Sequence, residues 1–360
     1  MPACPAVRHL RPAIQSMAGY TPGEQVVGCT KLNTNESAVP PSPAVLAALA
    51  QVAPDRLRLY PDPRANELRR IAAARYGVTP DHVLVGNGSD DCLTVLYRAF
   101  LAPGERVAVP WPTYGLYDDL ATLQGAEMVH VDYRITADDW LLPEGLALQA
   151  AKLTIVANPN NPSGTLVSLA ELRRLADRVE GILIVDEAYV DFAGTDDDGT
   201  GASMIAHLEA HPNVVVLRTF SKSYSLAGAR LGLLFAHPEL VAHLMKVKDS
   251  YNVNYLTQAA GIAALEDREH HRGLVATTLS ERARLEAGLK AFGWTWPRSG
   301  ANFVLCEVGP RAKEILDALK ARGLLVRWWN RPALSSKLRI TVGNRADNDR
   351  LLAALREILG

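Results

Sequence analysis

From Val83 onward the chain alternates short apolar runs with helix-length amphipathic stretches, and this alternation narrows the available folds more than any other feature. The runs are "HVLVGN", "RVAVPW", "AEMVHVDY", "LTIVAN", "ILIVDEAY", "VVVLRT" and "RLGLLFA". They are strand-length and mostly apolar, as strands buried on both faces are. The stretches 90–101, 166–179 and 239–247 have helical periodicity. Such alternation predicts an α/β fold: a large domain with a mainly parallel sheet flanked by helices. Functional residues of these sheets gather at the carboxyl ends of the strands. After Tyr251 the pattern changes. A helical region from 256 to about 292 precedes "NFVLCEV", a helix near 311–322, "LLVRWW", "LRITVG" and a final helix. This predicts a smaller α+β domain. The expected division is 41–255 for the large domain, with 1–40 and 256–360 together forming the small one.

Composition mainly excludes. With 360 residues, 48% hydrophobic and 21% charged, the chain reads as a globular protein of about two domains. A net charge of −1 leaves no footprint for nucleic acid or an anionic membrane. "MPACPAVRHLRPAIQSM" lacks the apolar core of a signal peptide, and no apolar run is long enough to span a bilayer. Cys4, Cys29, Cys92 and Cys306 lack CxxC spacing, which argues against a disulfide framework or zinc site and for a cytoplasmic location.

The polar residues at the strand ends carry the chemistry. "VGNGSDD" sets Ser89 and Asp90 at a strand-to-helix junction, where small residues let backbone N–H groups face an anion such as phosphate. Gly-Asn-Gly also fits an ordinary turn. The sequence is neither GxGxxG nor a Walker motif. Tyr114 of "WPTYGLY" follows the next strand, where its ring can stack on a flat ligand or simply pack at a rim. "ANPNNPSG" presents Asn158, Asn160 and Asn161 in a turn stiffened by two prolines. "ILIVDEAY" ends an apolar strand in Asp186, a carboxylate that needs a cation or strong donor unless it caps a helix; Tyr189 follows three residues later. In "TFSKSYSLAGARLG", Thr219, Ser221 and Arg230 can hold a phosphate around Lys222. Desolvation and a neighbouring cation would lower the Lys222 pKa and free its amine as a nucleophile. A nucleophilic amine, phosphate cradle, stacking ring, amide and buried carboxylate are together the parts that hold pyridoxal phosphate.

The same segments, with "GYTPGEQ", "KLNTNES", "LYPDP" and "LRITVG", resemble in order those of fold-type I pyridoxal-phosphate aminotransferases, and within them the histidinol-phosphate aminotransferase group. The resemblance implies pyridoxal 5'-phosphate as cofactor, with Lys222 as its covalent anchor and proton shuttle. It implies Asp186 at the pyridine nitrogen, Asn161 and Tyr189 at the ring hydroxyl, and Tyr114 over the ring. Ser89, Asp90, Thr219, Ser221 and Arg230 would hold the phosphate. Tyr60 would reach that phosphate from a neighbouring subunit, so a homodimer is implied. Arg339 would bind the substrate's anionic end, Tyr20 and Arg327 the phosphate of histidinol phosphate, and Asn33 of "KLNTNES" is a further substrate-side residue. The implied reaction converts histidinol phosphate and 2-oxoglutarate to imidazole acetol phosphate and glutamate.

Three other activities share this scaffold: an aromatic amino-acid aminotransferase, a threonine-phosphate decarboxylase, and a non-catalytic pyridoxal-phosphate sensor. The last normally carries an added DNA-binding domain, for which the N-terminal segment has no room. Trp328 and Trp329 fit either an aromatic pocket or rim packing. No metal site is expected. An EF-hand register over "GTDDDGTGAS" would put Gly194 and Ile205 where carboxylates are required. His270 and His271, adjacent on a helix, do not share a face and read as surface residues.

Overall fold

The computed structural model describes residues 4–19, 22–136, 138–194 and 200–360. All seven apolar runs contribute a strand to one sheet: β1 (Val83–Gly86), β2 (Arg106–Trp111), β3 (Glu127–Asp132), β4 (Leu153–Ala157), β5 (Ile182–Asp186), β6 (Val214–Thr219) and β7 (Gly232–Ala236). Their order is β1-β7-β6-β5-β4-β2-β3. Only β7 runs antiparallel to its neighbours. Residues 220–231, between β6 and β7, hold a single short helical turn at Ala227–Ala229. A connection without a full crossover helix returns the chain antiparallel.

Alternating side chains give the sheet a core on each face. Leu183, Val185, Val214 and Val216 pack on one side; Ile184, Val215 and Leu217 pack on the other with helix α1 (Ser89–Phe100). The stretch expected to be helical over 166–179 forms Leu169–Ala176, started by a capping box in which Ser168 and Glu171 satisfy each other's backbone N–H. The stretch 239–247 forms Pro238–Leu244.

The long helical region is two helices, Tyr255–Glu266 and Arg268–Lys290. Asp267 separates them: its ψ of 71° leaves the helix, and its carboxylate accepts from the backbone N–H of His270 at 3.1 Å. The first helix packs Ala260, Ala264 and Leu265 into the core of the large sheet. The second places Leu285 and Leu289 in a separate core with Val304, Ile340 and Leu351, which the N-terminal Leu32 completes. Thr30–Lys31 pairs with Leu324–Leu325, and Phe303–Glu307 pairs antiparallel with Lys337–Thr341. Among the described residues no helix is long and apolar enough to cross a membrane.

One surface expectation is overturned. His271 is buried, with its ring stacked 4.3 Å from that of Tyr224 and Nδ1 3.2 Å from Arg75. Helical spacing alone separates the faces of adjacent residues without saying which face is covered.

Candidate active site

Strand register brings the predicted groups to one edge. Asp186, the last residue of β5, lies opposite Ala157 of β4 and Leu217 of β6. Two residues beyond Leu217, Thr219 pairs with Gly232, which pairs in turn with Gly86. A cavity of about 720 Å³ opens on this edge. Ser89, Asp90, Tyr114, Asn161, Asp186, Tyr189, Thr219, Ser221, Lys222 and Arg230 all line it, as do Asn33, Arg327 and Arg339. Tyr60 does not line the cavity of its own chain. It is 81% exposed and stacks on Tyr251 with ring centroids 4.5 Å apart. Tyr20 lies outside the described residues.

At one end of the cavity is an anion cradle. Helix α1 begins after Gly88, which supplies no side-chain cap, so its leading N–H groups face outward with the positive end of the helix dipole. Gly88 has φ +88°, and a Cβ there would sit 2.8 Å from an Arg230 nitrogen. A Cβ on Gly232 would collide with the backbone N of Ser89. Glycines thus let β7 and Arg230 close on the helix start. The Arg230 guanidinium lies 3.0 Å from Asp90 and 3.5 Å from the Ser221 hydroxyl.

Asp186 lines the same cavity. Its Oδ2 accepts a 2.7 Å hydrogen bond from the buried Tyr117, and its Oδ1 accepts from Ala188 N at 3.2 Å. Burial pushes its pKa up to about 6, while the Tyr117 bond works in the opposite direction. A carboxylate held this way answers a cation that arrives with a ligand. Tyr114 meets Tyr117 edge-to-face at 5.5 Å, turning its own ring to the cavity.

The Lys222 amine donates to the carbonyl of Thr34 at 3.1 Å and lies 5.7 Å from the Tyr189 ring. Burial, then the charge of Arg339, push its pKa down to about 8. Asn35 donates to the Tyr189 hydroxyl at 3.1 Å, and burial raises the pKa of that phenol. Arg339 comes from the Lys337–Thr341 strand. It donates to Asn161 and, at 2.7 Å, to the carbonyl of Asn33, above the face of Phe303.

The tryptophan pair divides. Trp329 lines the cavity beneath Arg327, while Trp328 packs on the smaller core and donates to Ser335 O at 2.9 Å. Trp111, Tyr117, Thr34 and Asn35 also line the site and were not singled out in the sequence. Tyr117 had a usable signal: it stands three residues after Tyr114 across a helix start, close to the same face.

Residues 27–355 match the family model for aminotransferases of class I and II. The chain belongs to that family. This aminotransferase is 42% identical over 353 residues to a histidinol-phosphate aminotransferase of Syntrophotalea carbinolica, covering 97% of this chain and 99% of that one. It is 39% identical over 356 residues to histidinol-phosphate aminotransferase 1 of Trichormus variabilis, covering 98% and 99%. Among solved structures, the histidinol-phosphate aminotransferase of Sinorhizobium meliloti in complex with pyridoxal-5'-phosphate superposes with a TM-score of 0.87 at 29% identity, covering 97% of each chain. The aminotransferase shares their mainly parallel sheet and its flanking helices.

Proposed function

We propose that the chain is a pyridoxal-phosphate-dependent aminotransferase that transfers the amino group of histidinol phosphate to 2-oxoglutarate. The observation that carries this is that Lys222 lines one cavity together with a buried carboxylate, Asp186, and an uncapped helix start flanked by Arg230. The cavity fits the cofactor. Ser89, Asp90, Thr219, Ser221 and Arg230 would take its phosphate, Asp186 its ring nitrogen, Asn161 and Tyr189 its hydroxyl, and Lys222 its aldehyde carbon. Tyr114 would cover the ring. When bound, pyridoxal phosphate supplies an electron sink for the charge left on the substrate's α-carbon.

The protein's own groups do the rest. Lys222, with its pKa lowered, would take the proton from the substrate's α-carbon and return it to the carbon that the cofactor's aldehyde supplies, two atoms away. Asp186, shielded from water, keeps a proton on the cofactor nitrogen through its negative charge. Arg339 and Arg327 bind the anionic ends of the two substrates, with Asn33 holding Arg339. Both substrates use one site in turn, which predicts ping-pong kinetics.

Relatives named for histidinol phosphate, at 39% and 42% identity over nearly the full length, support the choice of donor. A homodimer is supported by the exposed apolar patch of Leu57, Leu59 and Tyr60, which a second copy would cover. Tyr60 would then serve the partner's cradle. A reducing, cytoplasmic location is supported by the unpaired thiols of Cys4, Cys29, Cys92 and Cys306.

The test is an absorbance titration of the cofactor-loaded protein with histidinol phosphate, phenylalanine, tyrosine and threonine phosphate. Histidinol phosphate at micromolar levels should bleach the lysine-bound cofactor band, and 2-oxoglutarate should restore it. Bleaching by the aromatic amino acids alone would overturn the donor. No cofactor band at all would overturn the role of Lys222.

A further inference from the structure

We propose that Arg331 is a specificity-determining residue that reads the phosphate monoester of the amino donor from the cavity mouth. The inference deepens the function proposed above and rests on it. Arg331 stands on a fixed turn. The backbone N–H groups of Leu334 and Ser335 both donate to its carbonyl, at 2.9 and 2.8 Å. Leu334 is buried with Tyr133, Trp140 and Leu305, and Trp329 packs against them. The segment is therefore anchored on both sides of Arg331, and the side chain leaves it toward the cavity.

The guanidinium of Arg331 lies 4.9 Å from the ring centre of Trp111, the last residue of β2. That ring is itself fixed, stacked 4.2 Å from His130, whose Nε2 is 2.7 Å from Asp118. Among the described residues no carboxylate pairs with Arg331. The distinction matters chemically. A salt bridge neutralises a guanidinium and occupies its N–H fork, whereas an aromatic face orders the group and leaves charge and fork free for an anion.

Two more guanidinium groups share this wall, each over an aromatic ring: Arg339 at 5.1 Å from Phe303, and Arg327 at 5.4 Å from Trp329. Their exposure increases from Arg339 to Arg327 to Arg331. One cation at the buried end suffices for a carboxylate. A further pair toward the mouth suits a dianionic phosphate carried at the far end of the donor. The cavity carboxylates do not cancel this. Asp118 is engaged with His130, Asp90 with Arg230 and Glu36 with Lys31.

The test is steady-state kcat/KM for histidinol phosphate and for histidinol, which lacks the phosphate, using wild type, Arg331→Gln and Arg331→Lys. In Arg331→Gln the ratio of the two values should fall about tenfold, chiefly through the KM for histidinol phosphate, as loss of one partly exposed charge-assisted contact implies. Arg331→Lys should fall between, because it keeps the charge and loses the stacked fork. The ratio cancels any loss of folded enzyme, since such a loss lowers both values equally. A wild-type ratio retained in Arg331→Gln would overturn the inference and leave the proposed function intact. A wild type that does not turn over histidinol phosphate would overturn the proposed function first, before any variant is made.

Discussion

Tyr117 donates a 2.7 Å hydrogen bond to Asp186, tying the first turn of one helix to the end of the central strand β5. The two largest effects on the charge of Asp186 oppose each other: burial, which favours the neutral acid, and Tyr117, which favours the carboxylate.

Replacing Tyr117 with Phe removes the second effect and raises the pKa of Asp186 above its present value of about 6. Less of the carboxylate is then charged in mildly acidic solution. Affinity for pyridoxal phosphate should weaken about tenfold near pH 6, with the deficit narrowing above pH 8 where Asp186 ionises regardless. Cofactor titrations across that range check this. A pH-independent loss would reduce Tyr117 to a packing role.

Lys222 makes a prediction about stability. Its pKa in the folded, cofactor-free protein is about 8, against an ordinary value of 10.5. Between those values the unfolded chain binds more protons than the folded one, so stability rises with pH across that window. Below pH 8 the cost of a buried ammonium is fully present. Lys222→Met removes it and should stabilise the cofactor-free protein at pH 7 by on the order of 1–2 kcal/mol, allowing for partial exposure. The advantage should shrink toward pH 10.5. Thermal melts at both pH values decide it, and turnover should be lost throughout.

Much of this site was legible because charged residues at the ends of apolar strands are costly and stand out. Lys222 and Asp186 are both of this kind. What escaped the sequence depended on which surfaces meet. The direction of β7 follows from the lack of a crossover helix in residues 220–231, whereas the alternation of runs and helices predicts a mainly parallel sheet without saying which strand is reversed. His271 is buried because Tyr224, Arg75 and Asp191 come to it from distant segments. Asp267 breaks a long apolar periodicity without a Pro or Gly. Trp111 and Arg331 are far apart in the chain, and only the fold stacks them.

Directly behind the site, Arg218 holds Glu187 at 3.3 Å and also pairs with Asp191, all three buried. Burial pushes Glu187 up to about 7. Against the same burial, the charge of Arg218, with His271 Nε2 3.8 Å away and a hydrogen bond donated by Ser223, holds Asp191 below its ordinary value. Glu187 and Ser223 adjoin Asp186 and Lys222 in sequence, so this network fixes both. Arg218→Met should destabilise by about 3 kcal/mol or more, because it strands two buried carboxylates. Both would then have raised folded pKa values, so the variant should lose stability as pH rises from 5 to 8. Denaturant unfolding at several pH values checks the sign. A deficit that narrows with rising pH would show that Arg218 does not control these carboxylates.

Tyr60 offers a test of assembly that a single chain cannot give. It is 81% exposed and outside its own cavity, yet it adjoins the exposed Leu57 and Leu59. If it completes the partner's cradle, Tyr60→Ala should weaken cofactor binding, and Lys222→Ala should abolish turnover in its own cavity. In a dimer containing one chain of each kind, the cavity that keeps Lys222 receives an intact Tyr60 from its neighbour. Co-expressing the two variants gives half mixed dimers, each with one complete site, so activity should recover to about a quarter of wild type. Neither variant alone should reach that level. Without recovery in dimers shown by tagging to be mixed, Tyr60 would serve only its own subunit.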